Sequence, residues 1–215
     1  MKKIGIVCAM KKEFDLLLRE FPEGDIHCIL SGIGKVNAAA AAERLVCEHK
    51  PDCILSIGCA GTFVEDLEEC ETVIVNRCAY HDVFCGKEYA GGQMAGLPLY
   101  FESAPALVKA ARKALPQART GLLCTGDQFY VSREEDERQK RWFPDALAID
   151  MEGTAVAQVA FLHNIPFLAV KIISDNHTQG EQMEHYDGFW SNMADRSFTT
   201  VKAILNSILE DEKVG

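Results

Sequence analysis

Positive charge is the scarcest property of this chain. Over 215 residues, 22 Lys and Arg stand against 32 Asp and Glu, a formal net charge of −10. A phosphate backbone needs a basic surface, so nucleic acid is excluded as a partner, and an anionic membrane is an equally poor one. Long apolar runs are missing too; none approaches the roughly 20 residues of a bilayer-spanning helix. The start, Met1 to Met10, has the charges of a secretory signal but too short an apolar stretch. Lys11, Lys12 and Glu13 follow at once, with no small-residue cleavage pattern, so it reads as a first strand. Nine cysteines are an odd number, and no CxxC pair occurs among them. Cys78, His81 and Cys85 come nearest to a ligand-like grouping, but their spacing fits no zinc pattern. The expectation is buried, reduced thiols in a cytoplasmic protein, with no metal. Linkers, low-complexity tracts and internal repeats are also lacking. One domain over residues 1–215 is expected, and 48% hydrophobic content allows it a large core.

What is present is an alternation of strand and helix patterns. Ile4 to Ala9 reads as a buried strand. Met10-Lys11-Lys12-Glu13 then leads into a helix with Phe14, Leu16, Leu17 and Leu18 as its apolar side. From position alone, Glu13 could equally be a surface carboxylate favoured by the helix dipole. Ile26 to Leu30 is a strand, and Ser31-Gly32-Ile33-Gly34-Lys35 opens an alanine-rich helix over 36–49. Two glycines of a dinucleotide fingerprint are there, but Asn37 stands where the third belongs, and P-loop spacing is absent. A tight turn that brings backbone close to a ligand is the preferred reading. Cys53 to Ile57 is a strand ended by Gly58-Cys59-Ala60-Gly61-Thr62. Further strands are expected over Thr72–Tyr80 and Gly121–Cys124, with a helix over Pro105–Leu115 and a glycine-rich loop over 84–98. Ser132 and Glu135 form a capping box for a charged helix through Trp142, and a last helix runs from about Asp187 to Leu209.

The most informative stretch is 146–154. Ala146 to Ile149 is an apolar run that ends on Asp150-Met151-Glu152. A helix pattern with Val156, Val159 and Ala160 follows and stops at Asn164 and Pro166. A second run, Phe167 to Ile173, ends on Ser174-Asp175. This strand–helix–strand unit predicts parallel strands, with Glu152 and Asp175 leaving the sheet at one edge, where ligands of open α/β sheets bind. The fold class is α/β, a mixed, mainly parallel central sheet flanked by helices. Strand ends at Met10, Gly58, Phe129, Glu152 and Asp175 are expected to converge on one cleft.

Seven segments fall in the order found in 5′-methylthioadenosine/S-adenosylhomocysteine nucleosidases: residues 1–14, Ser31–Ala39, Gly58–Gly61, Tyr80-His81-Asp82, Thr125–Phe129, Asp150–Ala155 and Ser174-Asp175. The chain resembles this family, and with it the nucleoside phosphorylase/nucleosidase superfamily, from residue 1 to about 205. The resemblance implies cofactor-free and metal-free hydrolysis of the N-glycosidic bond of an adenine nucleoside, in a homodimer. Asp175 matches the acid that protonates adenine N7. It would have to be protonated near neutral pH, through burial or a nearby negative charge. Glu13 matches the base that activates water, an acid and base flanking a sugar as in glycoside hydrolysis. Glu152 matches the acceptor of the ribose 2′ and 3′ hydroxyls, with Met151 packed on the sugar. Phe129 matches the ring stacked on adenine, and Tyr130 the backbone that holds the base edge. Gly61 matches a backbone contact in the site. Met10 and Ile33 match apolar contacts near the sugar or its 5′ substituent.

Three features depart from the family pattern. The segment between Glu13 and Ser31 is short, which implies a smaller sheet. Cys59 stands where serine is usual, near the acid. Lys171 stands where arginine is frequent beside the ribose carboxylate, keeping the charge but losing the fork. Rival readings on the same scaffold are a purine nucleoside phosphorylase and a futalosine or aminofutalosine hydrolase. A catalytically silent nucleoside-binding module and a dinucleotide-dependent dehydrogenase are weaker.

Overall fold

The computed structural model describes residues 2–21, 24–129, 133–176, 189 and 194–210. Eight strands form one sheet: β1 (Ile4–Cys8), β2 (Ile26–Leu30), β3 (Cys53–Thr62), β4 (Thr72–Tyr80), β5 (Phe101–Glu102), β6 (Arg119–Thr125), β7 (Ala146–Asp150) and β8 (Phe167–Asn176). The helices are α1 (Lys11–Glu20), α2 (Lys35–His49), α3 (Pro105–Ala114), α4 (Arg133–Trp142), α5 (Gly153–Leu162) and α6 (Ala194–Glu210). The expected Ser132 cap lies outside the described residues, as does the expected start of the last helix before 189.

Alternation along β1, β3 and β8 sorts their side chains into two cores. Ile4, Ile6, Cys53, Leu55, Ile57, Leu168, Val170 and Ile172 face one side, where Leu16 and Leu17 of α1, Leu107 and Ala111 of α3, and Val201, Ile204, Leu205 and Ile208 of α6 cover them. The other side buries Val7, Ile54, Ala169 and Ile173 under α2 and α5, through Ala38, Ala42, Leu45, Val156 and Ala160. The helices carry their own start signals. Pro105 opens α3, where its missing N–H costs nothing. Gly34 precedes α2 with φ 98°, a left-handed conformation that favours glycine.

The sheet is mixed. β2, β1, β3 and β8 run parallel to one another, as do β4, β6 and β7. The two groups join antiparallel, β4 to β8 and β3 to β7. The strand–helix–strand expectation is therefore corrected: β7 and β8 are not neighbours, and their pairings set them in opposite senses. β3 explains this. It runs on to Thr62 through the small residues expected to end it at Gly58, so its far end pairs β7 on the edge where its near end pairs β1. The pairings β3–β8–β4–β6–β7–β3 thereby close into a ring.

Two smaller expectations also change. Leu18 is 38% exposed, and Glu13, 2% exposed, is buried in α1 with Leu16 and Leu17. All nine cysteines are free thiols, but Cys47 and Cys85 are exposed rather than buried. Among the described residues, no helix is long and apolar enough to cross a membrane.

β8 lies between β3 and β4 with every residue buried. Ile172→Ala removes packing at that junction and is expected to cost about 2–5 kcal/mol, measured as a lowered midpoint in urea denaturation.

Candidate active site

Three strand ends meet at Gly61. Its Cα is partnered with Ile149 of β7 and with Asp175 of β8. The β3–β8 register shifts by one residue there, from Ala60 opposite Ile173 to Gly61 opposite Asp175, so Ser174 is an inserted bulge. Bulges re-aim side chains next to sites. Here the Ser174 hydroxyl donates to Asp175 Oδ1 at 2.7 Å, and Asp175 is 1% exposed.

Glu13 enters from α1. Its Oε2 accepts the backbone N–H of Ala9 (3.1 Å) and Met10 (3.0 Å), and its Oε1 accepts that of Cys59 (2.9 Å). Three amides hold both oxygens, so the carboxyl has a fixed aim. Burial raises its pKa, and the amide bonds oppose that shift. Behind it, Gly58 leaves no room for a side chain: a Cβ there would lie 2.7 Å from Glu13 Oε1. Cys59 contributes through its amide, which any residue but proline could supply, and through its thiol, which also bonds Glu13. Its thiol is pushed well above its ordinary pKa by burial and by Glu13.

Glu152 sits between β7 and α5, and its Oε1 accepts the Gly34 N–H at 2.7 Å. Burial first, and Asp150 second, raise its pKa to about 7. Lys171 does not pair with Glu152, as its expected place beside the ribose carboxylate would suggest. Its ammonium meets Asp150 Oδ2 at 2.8 Å and donates to Ser56 Oγ at 3.1 Å. Asp150 also accepts the Gly153 N–H and the Thr125 hydroxyl. The pair is fully buried and well bonded, which offsets its desolvation.

Three of the family-like segments brace this arrangement from outside. The Lys35 ammonium donates to Asp82 Oδ2 at 2.6 Å, and the Lys35 N–H to Asp127 Oδ1 at 2.8 Å. The Asp127 N–H donates to Asp82 Oδ2 at 2.9 Å. The turns at 32–35, 80–82 and 125–129 are thus tied together, which places Gly34 against Glu152 and Phe129 at the cavity.

That cavity, of about 360 Å³, is lined by Met10, Glu13, Ile33, Gly61, Phe129, Met151, Glu152 and Asp175. Every expected site residue except Tyr130 is there; Tyr130 lies outside the described residues. Gly58, expected at the cleft, instead backs Glu13. Phe63 and Gln139 also line the cavity and were not anticipated. Gln139 had one available signal: between Arg133 and Arg141 it is the single uncharged residue. No lysine or arginine occurs among the described lining residues. No group of three or more His, Cys, Asp or Glu among the described residues could hold a metal.

The family model of the phosphorylase superfamily matches residues 3–209. A Staphylococcus aureus 5′-methylthioadenosine/S-adenosylhomocysteine nucleosidase is 32% identical, over 95% of this chain and the whole of that protein. This chain belongs to that nucleosidase family. Solved relatives superpose closely. The Streptococcus pneumoniae nucleosidase, with the transition-state inhibitor MT-ImmA, has a TM-score of 0.87 at 32% identity, covering 96% of this chain and 99% of its own. The Neisseria meningitidis enzyme with methylthio-immucillin-A gives 0.88 at 30% identity, covering 96% and 100%. The family fold has therefore closed its sheet here despite the short 14–30 segment, with β2 as the edge strand beside β1.

The raised Glu152 pKa makes stability depend on pH. The folded state keeps this proton when the unfolded chain has lost it, so stability present below pH 4.5 falls as pH rises through about 7. The fall is at most about 3 kcal/mol. Glu152→Gln is expected to flatten it, measured by urea denaturation across that window.

Proposed function

We propose that this protein hydrolyses the N-glycosidic bond of 5′-methylthioadenosine and S-adenosylhomocysteine, releasing adenine. The observation that carries the reading is the gathering of Glu13, Glu152 and Asp175, far apart in sequence, around one cavity. In this reading Asp175 protonates adenine N7 and so turns a poor leaving group into a good one. Positive charge then builds on the ribose, and Glu13, aimed by three amides, takes a proton from the attacking water. Glu152, ionised, accepts from the two ribose hydroxyls, its two oxygens matching a cis-diol. Met10, Ile33 and Met151 give the sugar and its 5′ substituent an apolar wall. Phe129 stacks on the base, Gly61 offers backbone beside it, and the Tyr130 backbone holds its edge. The chemistry asks for no cofactor or metal.

Phosphorolysis is disfavoured by the same lining. An attacking phosphate needs cations, and the described lining offers four carboxylates, Glu13, Asp150, Glu152 and Asp175, with Lys171 committed to Asp150. We further propose a homodimer, supported by the exposed apolar side chains Ile33, Val36 and Phe84 near the site and on the 84–98 loop. A cytoplasmic location fits the nine free thiols.

Adenine release from methylthioadenosine in phosphate-free buffer is the direct test. A strict phosphate requirement would hand the case to a phosphorylase, and release only from aminofutalosine to that hydrolase. Asp175→Asn is expected to lower turnover by at least about 10²-fold with the fold retained by circular dichroism. Gly58→Ala is expected to displace the Glu13 carboxyl and lower kcat by about 10²-fold, since an ångström of misplacement costs that much.

A further inference from the structure

The cations that the catalytic cavity lacks gather elsewhere. A groove of about 570 Å³ runs along α3 beside the β4–β5 edge, and its lining carries Lys109, Arg112 and Lys113 against one carboxylate, Glu102. This is a local excess of positive charge on a chain of net charge −10. Lys109 precedes the other two by three and four residues, so three like charges share one helix face and repel. None of the three has a carboxylate partner among the described residues. The negative end of the helix dipole accounts for Arg112 and Lys113, which sit in the last turn of α3. That field fades before Lys109. No described residue lines both this groove and the catalytic cavity.

Ser103 lines the groove at the other end of α3. It is 5% exposed, yet its hydroxyl has no hydrogen-bond partner. The backbone around it is fixed: its amide donates to the Asn76 carbonyl at 2.9 Å, and the Ala104 amide to that of Phe167 at 2.8 Å. A buried hydroxyl left unpaired costs its desolvation, and rotation about one bond turns it towards an occupant. α3 begins two residues later at Pro105, and no side chain among the described residues caps that turn. Val108 lines the stretch between Ser103 and the cations. From Pro105 to Lys113 the helix rises about 12 Å. That is longer than an inorganic anion, and an apolar wall between two polar ends suits an organic body. The cationic end suits a phosphate, whose two charges and three free oxygens can take an arginine fork and two ammonium groups together. A carboxylate, with one charge, would leave cations unpaired.

We propose that the α3 groove is a binding site for a small phosphate ester. The phosphate meets Lys109, Arg112 and Lys113, and the organic part runs along Val108 to Ser103. The site goes beyond the nucleosidase reading and stands or falls without it. Titration calorimetry on the full chain at low ionic strength tests it with three probes: ribose 5-phosphate, inorganic phosphate and ribose. The native protein should bind ribose 5-phosphate one to one, with a Kd of about 1 mM or tighter. Inorganic phosphate should bind at least about tenfold more weakly, since it forgoes the apolar wall and Ser103. Ribose should give no heat. Lys109→Glu and Arg112→Glu, both at exposed positions, should each weaken the ester at least about tenfold. Lys50→Glu, the same charge change at an exposed position outside the groove, should not. Ser103→Ala should weaken the ester about threefold or more and leave inorganic phosphate unchanged. Its thermal midpoint without ligand should hold or rise, because an unsatisfied group leaves the interior. Absence of ester binding, ester binding that survives Arg112→Glu, or an equal loss in Lys50→Glu would overturn the proposal. Inorganic phosphate bound as tightly as the ester would make the groove a site for a free anion only, and that result overturns it too.

Discussion

The site exists because one strand end is shared. Gly61 takes Ile149 as its partner on one side and Asp175 on the other, so the carboxyl ends of β3, β7 and β8 meet although β7 approaches from the opposite direction. Gly61 itself lines the cavity. The bulge at Ser174 completes the arrangement, since a one-residue shift moves a strand's side chains to the other face. Without it, Asp175 would lie one position out of register with Gly61.

Around that junction the acidic groups are managed differently, and the difference follows from what each has to bond with. Asp150 is saturated by Lys171, Thr125 and the Gly153 amide, which makes it a structural charge. Glu13 is held by three backbone amides, so its orientation is fixed while burial favours its proton. Glu152 is set to titrate near neutrality by burial first and the repulsion of Asp150 second, against the opposing amide of Gly34. Four carboxylates in one small cavity would repel one another if all were ionised. Burial raises the pKa of both Glu13 and Glu152, which eases that repulsion. The Lys171–Asp150 pair lowers the total negative charge without presenting a cation to the cavity, which suits a neutral nucleoside better than a phosphate.

The turns at 32–35, 80–82 and 125–129 show why motifs with no chemistry of their own accompany the carboxylates. Lys35, Asp82 and Asp127 bind one another across three connections. Their ion pairs are partly exposed and individually weak. Their value is positional: the Gly34 amide reaches Glu152 only if the turn that carries it is held.

The polypeptide's own pattern determined the strand and helix succession and the alternation that loads the cores, while the acidic groups of the site were picked out by the family-like segments rather than by position. Succession and alternation are local properties, written in periods of 2.0 and 3.6 residues and in caps. Strand direction was not legible in the same way. β7 and β8 look like a parallel crossover pair because an apolar run carries no sign of which neighbour it will take. Small residues at 58–62 read as a turn because their use, continued pairing at a crowded junction, depends on β7 and β8 being there. The partner of Lys171 and the place of Gln139 at the cavity were likewise decided by packing, since burial and hydrogen-bond satisfaction exist only once distant segments meet.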